Sequence, residues 1–171
     1  VTFAPDGRRI VSAGGDGMIK IWDAADGREL MTLRGHEKAV VAAKFSADGK
    51  RIASISLDSK IKVWDAQSGT ELKTLTGDGI FSSESFPWIP MLIAFSADGT
   101  KIASVDPNNA IKVWDVDIGT VLLTLNGHEV FLTGLAFTPD GKRIVSSSPD
   151  DIRVWDANTG QQLMVLKGHE G

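Results

Sequence analysis

Four Trp-Asp pairs stand at Trp22-Asp23, Trp64-Asp65, Trp114-Asp115 and Trp155-Asp156, spaced 42, 50 and 41 residues apart. Self-similarity at such a period constrains a fold strongly, because each copy is one supersecondary unit that buries its apolar surface only against its neighbours. Other landmarks keep step. Phe3, Phe45, Phe95 and Phe137 each open a Phe-x-x-Asp-Gly run ending at Gly7, Gly49, Gly99 and Gly141. Gly27, Gly69, Gly119 and Gly160 each follow a Trp by five residues, and a Leu-x-Gly unit closes each copy at Leu33, Leu75, Leu125 and Leu166.

Between these landmarks lie short β-branched runs. In the second copy they predict strand a at 40–45, strand b at 51–55, strand c at 61–64 and strand d at 71–75. Asp-Gly and other Gly-containing turns join them, leaving no room for a crossover helix, so the fold class is all-β with consecutive antiparallel hairpins. Ile21-Trp22, Val63-Trp64, Val113-Trp114 and Val154-Trp155 put bulky apolar groups on both faces of a strand. Each small sheet is therefore expected to lie between two others, as in radial stacking.

Composition limits the function. Net charge is −4, and Lys and Arg are scattered, so neither nucleic acid nor an anionic membrane meets a basic footprint. The chain has no Cys and its three His lie in different repeats; no disulfide frame, metal site or cofactor is expected. Absence of Cys suits a reducing compartment, and a cytoplasmic location is the expectation.

The Trp-Asp pairs, the Gly-His pairs (Gly35-His36, Gly127-His128, Gly168-His169) and their spacing resemble the WD-repeat β-propeller family. The regular phrasing is similar to repeats common in bacteria, where they often follow a kinase or other signalling module. The resemblance implies four four-stranded blades at approximately 1–36, 37–77, 78–127 and 128–171, and a protein-interaction scaffold rather than an enzyme. It also implies a structural tetrad in each blade: His36, Ser54, Asp58 and Trp64 in the second, and His128, Ser146, Asp150 and Trp155 in the fourth, with one residue fewer between Asp and Trp. A His-Ser-Asp set that recurs with each repeat fits a structural staple better than a catalytic triad, which would occur once. Strand a offers mostly Ala, Val, Leu, Ile and Gly, with Lys44, and this counts against an enzyme site in a central channel.

The third repeat departs from the pattern: Asp78 stands where His is expected and Asn108 replaces the turn Asp, while Ser104 and Trp114 remain. This repeat also carries the insertion, between Gly77 and Phe95, with Phe81, Phe86 and Trp88. These three aromatics are candidate anchors for a protein or peptide partner; covering the edge of the altered blade is the alternative. The basic position of strand c (Lys20, Lys62, Lys112, Arg153) is expected to be a solvated edge.

Propellers of this family usually close with seven or eight blades. The chain begins inside a strand pattern at Val1-Thr2-Phe3 and ends on a Gly-His lead-in. It is thus expected to be a fragment of a longer propeller, or half of an eight-bladed ring closed by a homodimer, with a closed four-bladed ring as the third option.

Overall fold

The computed structural model describes residues 1–76 and 92–168. Each repeat forms one antiparallel meander. The first blade contains β1 (Thr2–Phe3), β2 (Arg9–Ala13), β3 (Ile19–Asp23) and β4 (Glu29–Leu33). The second contains β5 (Val40–Phe45), β6 (Arg51–Ser56), β7 (Ile61–Asp65) and β8 (Glu71–Leu75). In the third are β9 (Ile93–Phe95), β10 (Lys101–Val105), β11 (Ile111–Asp115) and β12 (Val121–Leu125). The fourth comprises β13 (Gly134–Phe137), β14 (Arg143–Ser147), β15 (Ile152–Asp156) and β16 (Gln162–Leu166). Within every sheet the strands pair in sequence order. The strand-a residues of successive blades are neighbours, β1 with β5, β5 with β9 and β9 with β13, so strand a is innermost and strand d outermost.

Turn chemistry explains why the hairpins close where they do. In the a–b turn of the second blade, Asp48 Oδ1 accepts the Ser46 hydroxyl at 2.6 Å and the Lys50 amide at 3.0 Å, while Gly49 takes a φ of 69°. The aspartate of each Trp-Asp pair caps the c–d turn: Asp65 Oδ1 accepts the amides of Gln67 and Ser68 at 3.0 and 2.7 Å. Those bonds, led by the Ser68 amide, hold the Asp65 carboxyl below its ordinary range. The turn ends at Gly69, with φ 74°, where a Cβ would stand 2.5 Å from Met31 Sδ and 2.9 Å from Leu33 Cδ2 of the preceding blade. Glycine is required there both by conformation and by close approach.

The core is not inside a sheet but between sheets. Val11, Ile19, Ile21 and Leu33 of the first blade meet Ile52, Trp64 and Ala66 of the second. Val63, Ile61 and Leu75 then meet Ile102, Trp114 and Val116, and Val113, Ile111 and Leu125 meet Ile144, Trp155 and Ala157. Every blade thus has an outgoing face of β-branched and leucine side chains and an incoming face centred on its tryptophan. Trp64, Trp114 and Trp155 are fully covered, whereas Trp22, in the first of the described blades, is half-buried. At the other end Met164 is 50% and Leu166 46% exposed, so the described residues form an open arc and not a closed four-bladed ring.

Candidate functional site

The second blade assembles its polar set from two strands and two connections. His36 lies in the β4–β5 connection, Ser54 on β6, Asp58 in the β6–β7 turn and Trp64 on β7. Trp64 Nε1–H donates to Ser54 Oγ at 2.9 Å. Ser54 Oγ lies 2.8 Å from His36 Nε2, and His36 Nδ1 lies 2.8 Å from Asp58 Oδ2. One assignment of protons satisfies every atom: Nδ1–H donates to the carboxylate, and Nε2 accepts from the serine hydroxyl, which itself accepts from the indole. Burial lowers the His36 pKa despite Asp58, keeping the ring neutral. Burial pushes Asp58 upward, but hydrogen bonds from the Glu37 amide, His36 and the Lys60 amide outweigh it and leave the carboxyl low. The histidine and serine are consumed in buried bonds, with no open face for a substrate.

The fourth blade corrects one predicted residue. The carboxylate facing His128 belongs to Asp151, 3.0 Å from Nδ1, and not to Asp150, which is exposed at the turn tip. This turn is one residue shorter, and the Ser148 amide bonds to the Asp151 carbonyl at 2.8 Å, which turns the Asp151 side chain inward. His128 Nε2 and Trp155 Nε1 meet Ser146 Oγ at 2.7 and 2.9 Å. The Asp151–His128 approach is off the line of an N–H bond, however, so Nδ1 is buried without a hydrogen-bond partner among the described residues. Arg153 holds the other oxygen of Asp151, from Nε at 3.0 Å and Nη2 at 2.9 Å.

The third blade keeps the Trp114–Ser104 bond at 2.8 Å. Its turn is ordered by Asp106, which sequence reasoning missed: Oδ1 accepts the amides of Asn108 and Ala110 at 2.9 and 3.0 Å. Asn108, at the usual aspartate position, is exposed. The Asp-Pro-Asn run, typical of turn initiation, was the available signal. In the first blade Trp22 and Ser12 also bond, at 2.8 Å.

A second correction concerns strand c. Lys62 is 7% exposed and bonds to Glu71 and Thr74 of strand d at 2.7 and 2.9 Å. Lys20 bonds to Glu29 at 2.6 Å and Arg153 to Gln162 at 2.9 Å. Each of these side chains is paired within its own blade, and Lys62 is buried rather than solvated. A β-bulge between strands c and d just before the tryptophan sets Glu29, Glu71 and Gln162 opposite Trp22, Trp64 and Trp155, two residues along the strand from the base each one bonds.

The tetrad also fixes where the loops lie. Asp58 accepts the Glu37 amide at 3.0 Å, Lys60 pairs with Glu37 at 2.6 Å, and the Val40 amide bonds to the Gly14 carbonyl at 3.0 Å. The d–a connection and the b–c turns of two blades are thus tied into one rim. Phe81, Phe86 and Trp88, in the β8–β9 connection, lie outside the described residues, as do Asp78 and His169. Among the described residues no group of three or more His, Asp or Glu is placed to hold a metal, and no helix is long and apolar enough to cross a membrane.

Comparison with known proteins agrees with this geometry. A 46-residue stretch is 41% identical to the periodic tryptophan protein 2 homolog of Dictyostelium discoideum, covering 27% of this chain and 5% of that protein. A 40-residue stretch is 40% identical to an uncharacterised WD repeat-containing protein of Nostoc sp., covering 23% of this chain and 3% of that protein. The chain therefore spans only a small part of either relative. The family model described as WD domain, G-beta repeat matches residues 1–23, 27–65 and 119–156; the unmatched residues 66–118 hold strand d of the second blade and strands a to c of the third, where the tetrad is altered, and strand d of the fourth blade lies beyond the last match. With more than half its length matched, the chain belongs to the WD40 repeat family.

Proposed function

We propose that this chain is a protein-binding platform whose partner is engaged on the rim of d–a connections and b–c turns. The observation that carries this reading is the coupling of His36 to Asp58, which locks two loops of that rim onto a buried frame. Loops held on a rigid scaffold are a usual place for recognition. WD40 repeats generally mediate protein–protein interaction, and the polar sets of the second and fourth blades are spent on internal bonds. Phe81, Phe86 and Trp88 belong to the longest of these connections and are the proposed anchors. A role within a larger signalling or regulatory chain is part of this proposal.

The test is affinity capture with the wild-type chain and with the Phe86→Ala/Trp88→Ala double variant, each melted in parallel. Loss of a captured protein at an unchanged melting temperature supports the platform. Undiminished capture removes the aromatics from the binding site. A lowered melting temperature assigns them to packing.

A further inference from the structure

The third blade differs from the other three on its outer edge as well as in its polar set. Just before the glycine of the c–d turn stand Asp26, Ser68 and Thr159 in the other blades, and Ile118 in the third. Strand d opens on Glu29, Glu71 and Gln162 in the other blades, and on Val121 in the third. Two positions that are polar in three blades are apolar in this one. Neither side chain is buried in the chain itself: Ile118 is 66% and Val121 38% exposed, and Leu122 beside them is 45% exposed. The turn does not need the Ile118 side chain either, since the backbone amide alone bonds to Asp115 Oδ1 at 2.7 Å.

Strand d is outermost in its sheet, so among the described residues β12 has β11 on one side and no strand on the other. Outside the sheet, Val121–Leu125 make no backbone hydrogen bond among the described residues. Such an edge is a template for another strand, and a charge placed on it is a usual guard. Glu29 and Glu71 supply that charge in β4 and β8, where they also hold Lys20 and Lys62. In β16, Gln162 holds Arg153. Only β12 opens on an apolar residue, and it carries no charge along its length.

A base stands at the entry to this edge. Lys73 of the second blade runs against the third blade's turn, its Cε 2.8 Å from the site of the absent Gly119 Cβ. It makes no ion pair among the described residues. Beside it lies a cavity of about 190 Å³ lined by Val63, Leu72, Lys73 and Val116. Arg51 and Asp117, paired with each other at 3.0 Å, complete its wall.

We propose that the outer edge of the third blade takes up an extended peptide segment as a fifth strand. The segment pairs with β12 through its main chain, lays apolar side chains on Ile118, Val121 and Leu122, and turns a carboxylate toward Lys73. In strand addition of this kind the main chain gives affinity and alternate side chains give specificity. The open amides and carbonyls call for an extended occupant, and the unpaired lysine calls for an acidic group on it. Size selects a short segment over a second copy of this chain. The surface comprises one five-residue strand and one turn, whereas a stable dimer uses about 20–30 residues on each side. The edge lies apart from the rim of loops, so this site and the rim stand or fall separately.

The experiment is fluorescence anisotropy with a labelled peptide of alternating valine and threonine and a glutamate at either end, titrated with the 171-residue chain. A second peptide carries proline at its centre, which removes a main-chain donor. The variants are Val121→Glu, which restores the guard found in the second blade, Lys73→Glu, and Leu30→Lys as a control on the first blade. Each is melted in parallel. The expected result is saturable binding by the wild type and Leu30→Lys, and no binding of the proline peptide. Val121→Glu and Lys73→Glu are expected to bind about tenfold more weakly, or less, at unchanged melting temperatures. No saturable binding by the wild type overturns the proposal. Equal binding of the proline peptide overturns strand pairing, and equal binding by Val121→Glu places the peptide elsewhere. A dimer in light scattering that Val121→Glu abolishes overturns the peptide as occupant and assigns the edge to a second copy.

Discussion

Arg153 grips the Asp151 carboxylate through Nε and Nη2 at 3.0 and 2.9 Å, and in doing so leaves His128 Nδ1 with a neighbour but no hydrogen bond. In the second blade the equivalent base, Lys62, turns to Glu71 instead, and Asp58 is free to accept from His36. The difference follows from side-chain chemistry. A planar guanidinium forks onto a carboxylate, whereas an ammonium acts as a point charge.

Replacing Asp151 and Asp150 separately measures this arrangement. Asp151→Ala is expected to cost about 1–3 kcal/mol in denaturant unfolding, because it strands Arg153 and removes the carboxylate beside a buried imidazole. Asp150→Ala is expected to stay within roughly 0.5 kcal/mol, as for other exposed positions. Equal losses would show that the turn, not the side chain, is what matters.

Serine-to-alanine changes on strand b should rank the blades. Ser54→Ala orphans two buried partners, Trp64 Nε1 and His36 Nε2, and is expected to cost about 2–4 kcal/mol. Ser12→Ala unpairs only a half-buried indole and should cost less than about 1 kcal/mol. Urea melts of both variants check the order, and a larger loss for Ser12→Ala contradicts it.

Acid should weaken the fold in two stages. The folded pKa of His36 lies below its ordinary 6.5, so the unfolded chain takes up the proton first, and stability falls as pH drops through 6.5. The folded pKa of Asp58 lies below its ordinary 3.8, and a second loss follows as pH drops past that value. Both contributions are fully present at neutral pH. Melting temperatures from pH 8 to 3, compared between wild type and His36→Gln, should show the first stage diminished in the variant. Identical slopes above pH 5 would remove His36 from the explanation.

Glycine substitutions separate backbone strain from crowding. Gly7, at φ 69°, has open space around it, and Gly7→Ala should cost about 1 kcal/mol for the left-handed conformation alone. Gly69→Ala adds contact with Met31 and Leu33 and should cost roughly 1–3 kcal/mol more, as overpacking does. A difference near zero between the two would mean that strand d yields to the added methyl.

The strands and the inter-blade core were legible because both rest on repetition: short β-branched runs with apolar groups on both faces, set between the same turn residues in all four copies. The link from His36 through Ser54 to Trp64 was legible because residue type and spacing are kept in that repeat. Where the chain drops or exchanges a turn residue, spacing stops deciding. Asp150 and Asp151 sit side by side, and only the backbone bond across the shortened turn selects one. Asp106 works two residues ahead of the expected position, a local solution invisible to a repeat-wide pattern. The strand-c bases looked solvated because a lysine two residues before a tryptophan carries no mark of the bulge that brings Glu29 or Glu71 within reach.

The matched stretches 27–65 and 119–156 each begin at the fourth strand of one sheet and end at the third strand of the next. A unit cut this way holds a whole polar set, such as His36, Ser54, Asp58 and Trp64, yet no whole sheet. Gain or loss of one unit by recombination therefore never divides a hydrogen-bond chain, and every sheet is stitched from two units. Copy number in such a gene can drift without any intermediate length exposing a broken blade in the middle of the array.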